Sequence, residues 1–246
     1  MKLILLRHGE SQWNLENRFT GWKDVSLTDT GIKEASFSGQ QLSKMNIIIN
    51  SVYTSLLNRA TETTDIVTDI IKFPKESIQY DWRLNERHYG ALQGLNKSET
   101  AAKYGEDQVH IWRRSYDIPP PLLDYNDERH PRFTDKFKKL DNELPKGESL
   151  KDVINRLNPF WKGYMVHLKE NSGNHLIVAH SNSLRAIIKI LDQLSTKEII
   201  SINIPTGVPL VYTLDQNLSV ISKDYLINKE ELEAKQDAVL NQGKIK

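Results

Sequence analysis

The chain has 246 residues, 33 lysines and arginines against 32 aspartates and glutamates, a formal net charge of +1 and no cysteine. That length can bury a sizeable core, and the charge balance argues against a dedicated nucleic-acid partner. Without cysteine there is no disulfide framework, no thiolate zinc site and no thiol nucleophile.

The chain opens on Leu3–Leu6, a continuous apolar run that predicts a buried central strand. The run is too short for a signal-peptide core or a membrane span, and no longer one follows, so a cytoplasmic protein without a membrane partner is expected. A polar stretch from Arg7 to about Thr28 precedes a helix over about Asp29–Met45, with Thr28 or Asp29 placed to cap it. Ser51–Thr54 reads as a strand. Ser55 is placed to cap a helix running to about Lys72, with Leu56, Ala60, Thr63, Val67 and Ile70 on one face. Ile78–Trp82 alternates like another strand. Residues 85–147 hold two short helical stretches, about Asn96–Tyr104 and Asp107–Tyr116, and then Pro119-Pro120-Pro121. They carry too few aliphatics for a core of their own and read as an excursion that shapes a site. Ser149 to about Asn171 is amphipathic, with Pro159 predicting a kink or break. His175–Ala179 predicts a buried strand, Asn182–Asp192 a helix, Thr196–Ile202 a short helix, and 209–214 and 219–226 two closing strands. The polar, helix-prone tail 228–246, with Gly243 near its end, reads as peripheral. The alternation predicts an α/β fold, a mostly parallel sheet covered on both faces, within one domain over 1–227.

Glycine-rich phosphate loops, dinucleotide fingerprints, His-Glu-x-x-His pairs and Gly-x-Ser-x-Gly elbows are absent from the sequence. What is present is a pair of histidines by position. Arg7-His8-Gly9-Glu10-Ser11 follows the first strand, and His180-Ser181-Asn182 follows the strand 175–179. Both lie at carboxyl ends of buried strands, where open α/β sheets bind ligands. If the strands are neighbours, the two imidazoles share a crevice. One can act as a nucleophile toward phosphorus and the other can stabilise the phosphoryl oxygens. The helix beginning at Asn182 would aim free backbone N–H groups at an anion.

The wider pattern resembles a known family. Arg7-His8-Gly9-Glu10-Ser11-Gln12-Trp13-Asn14, Asn17–Trp22, Tyr53-Thr54-Ser55 with Arg59-Ala60, the long stretch Leu84–Lys97, Trp112-Arg113-Arg114, Asp127–Arg129, Glu148–Leu150 and Asn203–Leu210 resemble the 2,3-bisphosphoglycerate-dependent phosphoglycerate mutases of the histidine phosphatase superfamily. The resemblance spans almost the whole chain and implies a three-layer α/β/α histidine-phosphatase fold. It implies interconversion of 3-phosphoglycerate and 2-phosphoglycerate in glycolysis and gluconeogenesis, primed by 2,3-bisphosphoglycerate and needing no metal. His8 would carry the phosphoryl group, Arg7 and Arg59 would grip it, His180 would complete the clamp, and Glu86 would exchange the proton. Asn14, Thr20, Gly21, Tyr89, Lys97, Arg113, Arg114, Ser181 and Asn182 match or adjoin the family's substrate-binding positions. The tryptophans at 13, 22 and 112 are given packing roles only. The family implies a homodimer or higher homo-oligomer.

A bisphosphoglycerate carries roughly −4 to −5, which suits a local cluster of Arg7, Arg59, Lys97, Arg113, Arg114 and His180. One position departs from the family: Ser181 stands where glycine is usual. If that position needs φ > 0, serine is strained there; otherwise its hydroxyl can add a hydrogen bond, and activity is expected to be retained. Two other readings compete. A phosphatase of the same superfamily would let water attack the phosphohistidine, with the tail 228–246 able to act as part of a lid against it. A pseudoenzyme is disfavoured by Arg7, His8, Arg59, Glu86 and His180 being present together.

Overall fold

Four consecutive aliphatic residues seal both faces of a strand, and in the computed structural model Leu3–Leu6 form the middle of β1 (Lys2–Arg7), each at most 2% exposed. The structure describes residues 1–242, with the side chains of 141–143 left aside; residues 243–246, Gly243 among them, lie outside the described residues. After β1 come α1 (Gln12–Leu15), α2 (Asp29–Lys44), β2 (Ile49–Thr54), α3 (Asn58–Ile71) and β3 (Ile78–Tyr80). The excursion then contributes α4 (Lys97–Tyr104) and α5 (Glu106–Arg114). The second half adds α6 (Leu150–Glu170), β4 (Asn174–Ala179), α7 (Ser181–Leu191), α8 (Glu198–Ser201), β5 (Leu210–Leu214), β6 (Val220–Tyr225) and α9 (Lys229–Asn241).

The strands form one sheet in the order β3-β2-β4-β1-β5-β6. β3, β2, β4 and β1 run parallel; β5 is antiparallel to β1, and β6 is antiparallel to β5. Side chains alternate across a strand, and the core divides accordingly. Leu3, Leu5, Ile177 and Ala179 meet Leu157, Phe160 and Tyr164 of α6 and Leu184 and Ile187 of α7. Ile4, Leu6, Leu176 and Val178 meet Leu42 of α2 and Val67 of α3 on the other face. The result is the expected three-layer α/β/α architecture.

The neighbouring of β1 and β4 decides where the site lies. They pair in register from Lys2 opposite Asn174 to Arg7 opposite Ala179, and His8 N–H extends the ladder to Ala179 O at 3.1 Å. His8 and His180 therefore leave the sheet side by side. The excursion closes over this edge by sharing small cores with it: Phe19 with Leu92, Ala101 and Val109, and Trp22 and Leu57 with Phe137.

Several expected boundaries change for physical reasons. Thr28 caps α2, accepting Gly31 N–H at 3.0 Å. Ser55 is not the N-cap of α3: Leu57 holds that position without a side-chain bond, and the Ser55 hydroxyl, two residues earlier, accepts Leu57 N–H at 3.3 Å while pairing with His180 Nε2. The third strand stops at Tyr80, since Asp81 accepts Arg83 N–H and turns Trp82–Leu84 into a 3-10 turn. The second excursion helix ends at Arg114, not Tyr116, and α7 starts one residue early, at Ser181. Pro159 does not break α6, which begins with a Ser149–Asp152 capping box and is assigned as one helix to Glu170. An interior proline costs about 3 kcal/mol or more, while each large apolar side chain buried contributes about 1.5–3 kcal/mol. Leu157, Phe160, Trp161, Tyr164 and Leu168 outweigh it. Among the described residues no helix is long and apolar enough to cross a membrane.

Candidate active site

The tight turn after β1 depends on Gly9. A Cβ there would stand 2.3 Å from Gly31 O, where the turn presses on the start of α2. His8 Nδ1 lies 2.6 Å from Gly9 O, a partner that can only accept, so the ring proton is on Nδ1. Nε2 is left with its lone pair, and Arg59 Nε donates to it at 3.3 Å. Arg59, in the first turn of α3, is 1% exposed, and its Nη atoms donate to Gly21 O and Lys23 O at 2.9 and 3.1 Å. Gly21 has φ +56°, and a Cβ would meet Gln93 Oε1 at 2.9 Å, so this turn requires glycine. Its work is to aim Arg59; it does not line the pocket. Arg7 is braced by Nη1 on Ile204 O at 2.7 Å, and its buried Nε has no partner among the described residues.

His180 is fully buried with its ring 5.0 Å from that of His8. Its Nε2 pairs with Ser55 Oγ at 2.7 Å, and its buried Nδ1 has no hydrogen-bond partner among the described residues. Its ring packs against that of His8 and is closed to solvent. Burial first, and then the positive charge of Arg59, holds both imidazoles well below the usual histidine range. A neutral, singly protonated His8 is the form that can attack an electrophile.

Glu86 is 7% exposed. It does not form a surface ion pair with Arg83, which binds Asp81. Its Oε1 accepts Arg87 N–H at 2.7 Å, Asn182 N–H at 3.1 Å and Asn182 Nδ2 at 2.9 Å, while Oε2 has no protein partner among the described residues. The Asn182 backbone N–H expected to face an anion is thus committed to Glu86. With Oε1 saturated, Oε2 is the atom left to carry a proton.

The outer wall is cationic. Asn14, Thr20, Tyr89, Lys97, Arg113, Arg114 and Ser181 border the same cavity as Arg7, His8, Arg59, Glu86 and Asn182. Arg114 is braced by Nη2 on Asn203 Oδ1 at 2.6 Å. Lys97 Nζ donates to Gln242 Oε1 at 3.2 Å, and Arg113 donates to Gln242 O, so the end of α9 roofs the cavity. Burial pushes Lys97 well below its usual value, reinforced by Arg113, and pushes Arg59 and Arg113 down to about 10. A site with this many buried cations favours a polyanion. Ser181 is not among the residues with positive φ, so serine is unstrained here.

Four contributors escaped the sequence reading. Arg18 and Arg185 also line the cavity, and Arg185 Nη1 fixes Asn182 Oδ1 at 3.0 Å. Its position three residues after Asn182, between the apolar Leu184 and Ala186, was a usable signal. Trp22, given a packing role, also donates Nε1–H to Glu86 O at 2.6 Å. Ser55 holds His180.

The chain matches a family model described as histidine phosphatase superfamily (branch 1) over residues 3–124 and 122–221. It belongs to that superfamily. Among solved structures it is similar to a mycobacterial glucosyl-3-phosphoglycerate phosphatase complexed with VO3, at 20% identity over 92% of this chain and 98% of that one, with a TM-score of 0.70. It is also similar to an alpha-ribazole phosphatase from Shigella flexneri, at 21% identity over 90% and 95% of the two chains, with a TM-score of 0.66. A third is YhfR of Bacillus stearothermophilus, at 23% identity over 89% and 93%, with a TM-score of 0.64. At these identities the likeness is one of fold. Membership makes the chain an enzyme of the superfamily, and His8 and His180 are its two strand-end histidines.

The buried histidines make a pH prediction. His8, His180 and His88 have depressed folded pKa values, His88 down to about 3, from a common burial cause. Below their unfolded value of 6.5 the unfolded chain binds protons that the folded chain does not, so stability falls as pH drops below 6.5. The slope approaches about 1.4 kcal/mol per pH unit for each such histidine. Denaturant melts between pH 7.5 and 5.0 should show this decline; a flat or rising midpoint contradicts it.

Proposed function

We propose that this chain is a phosphoglycerate mutase primed by 2,3-bisphosphoglycerate, interconverting 3-phosphoglycerate and 2-phosphoglycerate. The observation that carries the reading is the two-ended charge of the cavity. Arg59 donates to His8 Nε2, while Lys97 and Arg113 reach Gln242 at the end of α9, and Arg7 and Arg114 line the same cavity. One phosphoryl group needs only the set at His8. A second set suits a second phosphate or a carboxylate on the same small molecule. The unpartnered Arg7 Nε and the depressed Lys97 are the groups an added anion would satisfy. 2,3-Bisphosphoglycerate, when bound, supplies the phosphoryl group that charges His8.

The residues act as follows. Nε2 of neutral His8 attacks phosphorus in line; the P–N bond forms as the ester P–O bond breaks. Arg7 and Arg59 hold the three non-bridging oxygens, and His180, packed against His8, limits its rotation. Glu86 Oε2 gives its proton to the departing alkoxide. In the reverse direction it takes the proton from the attacking hydroxyl. Gln242 and α9 keep water from the charged histidine while the substrate re-orients.

The second reading is a phosphatase of a small phosphorylated metabolite. The solved neighbours named as phosphatases favour it. Phosphorus NMR of 3-phosphoglycerate with a trace of 2,3-bisphosphoglycerate separates the two. The mutase reading expects 2-phosphoglycerate with little inorganic phosphate; inorganic phosphate as the sole product selects the phosphatase. Truncation before Lys229 should raise the ratio of hydrolysis to transfer by about tenfold or more, since water exclusion is then lost. An unchanged ratio removes α9 from the account.

A further inference from the structure

Glu86 sits at the start of the excursion, on an irregular segment just after the 3-10 turn at Trp82–Leu84, with no strand or helix to hold it. The segment is nevertheless fixed. Arg156, in the middle of α6, donates Nη1 to Arg83 O at 2.8 Å and to Asn85 O at 3.3 Å, and Nη2 to Asn85 O and Glu86 O, both at 3.3 Å. Its Nε and Nη2 also bind Glu148 at 2.7 and 3.0 Å, in an ion pair whose side chains are 6% and 4% exposed. Glu148 reaches the far side of the segment: Oε2 accepts His88 N–H and its own N–H donates to His88 O, both at 2.8 Å. Trp22 Nε1–H supplies a second donor to Glu86 O. Neither Arg156 nor Glu148 borders the cavity.

We propose that Arg156 and Glu148 are positioning residues that set the general acid. One guanidinium gathers the carbonyls of Arg83, Asn85 and Glu86, its carboxylate partner ties the loop beyond Glu86, and together they fix the backbone from which Oε2 is aimed. A buried pair serves stability poorly compared with apolar packing. Placement on the carbonyls around Glu86 gives this one a second use. Arginine is required because only its planar fork offers enough donors in one plane to meet Glu148 and the three carbonyls together. The inference rests on the acid role assigned to Glu86 above, and it does not depend on which metabolite is bound.

The test uses the full chain and a series of aryl phosphates from 4-nitrophenyl to phenyl phosphate. In each, the His8 Nε2–P bond forms, the P–O bond breaks, and the phenolate oxygen takes the proton from Glu86. A nitrophenolate needs that proton little and a phenolate needs it greatly. Formation of the phosphorylated enzyme is followed by quenched intact mass in wild type, Arg156→Lys, Trp22→Phe and Glu86→Gln, with folding checked by circular dichroism. Positioning predicts selective loss. Arg156→Lys should slow phenyl phosphate about 30-fold and 4-nitrophenyl phosphate less than about threefold, with Trp22→Phe in the same direction, within the range acid catalysis supplies. Equal slowing across the series in Arg156→Lys and Trp22→Phe, or none in either, overturns the inference if Glu86→Gln does steepen the dependence. Failure of Glu86→Gln to steepen it removes the acid role of Glu86, and the inference with it.

Discussion

Alanine at position 8 lowers phosphoryl transfer by about 10⁴-fold or more, on the scale seen when a covalent nucleophile is removed. The loss is in turnover. Arg7 and Arg59 keep their braces on Ile204, Gly21 and Lys23, so the inner anion site survives. Phosphate affinity, measured by titration calorimetry, should change by less than about tenfold while kcat collapses. His180 is not placed to substitute, because its Nε2 is held by Ser55. Activity within about tenfold of wild type would mean that water or another group attacks phosphorus directly.

Glutamine at position 86 lowers kcat by about 10²–10⁴-fold on the alkyl phosphates 2- and 3-phosphoglycerate, as expected for loss of a general acid. The substitution is isosteric. A glutamine Oε1 can accept the same N–H groups of Arg87 and Asn182 that the carboxylate accepts now. Its amide nitrogen then occupies the place of Oε2, where it cannot shuttle a proton. The fold and KM should therefore change little. A kcat within about tenfold of wild type removes Glu86 from proton transfer.

The parts of this architecture visible in the sequence are those written locally. Leu3–Leu6 and Leu176–Ala179 are continuous apolar runs, and two buried runs ending in histidine place both imidazoles on one edge once the strands pair. Thr28 announces its helix for the same reason. What stayed hidden depends on partners far along the chain. Ser55 looks like a helix cap because its other partner, His180, is 125 residues away. Arg156 carries no local signal, since nothing near it in sequence shows that Arg83, Asn85 and Glu86 turn their carbonyls toward it. Pro159 reads as a break because the packing that outweighs it belongs to another layer. Trp22 reads as packing because the acceptor for its Nε1–H is a backbone carbonyl, and backbone carries no sequence signature.

The two-ended cavity and the neutral, oriented His8 reduce to one claim, that His8 Nε2 is phosphorylated during turnover. Intact mass after brief mixing with 2,3-bisphosphoglycerate, quenched at alkaline pH, tests it most directly. The account predicts a gain of one phosphoryl group in the wild-type chain, mapped to His8 and absent from His8→Ala. Turnover of 3-phosphoglycerate without any phosphorylated enzyme, or a phosphoryl group that persists in His8→Ala, contradicts it.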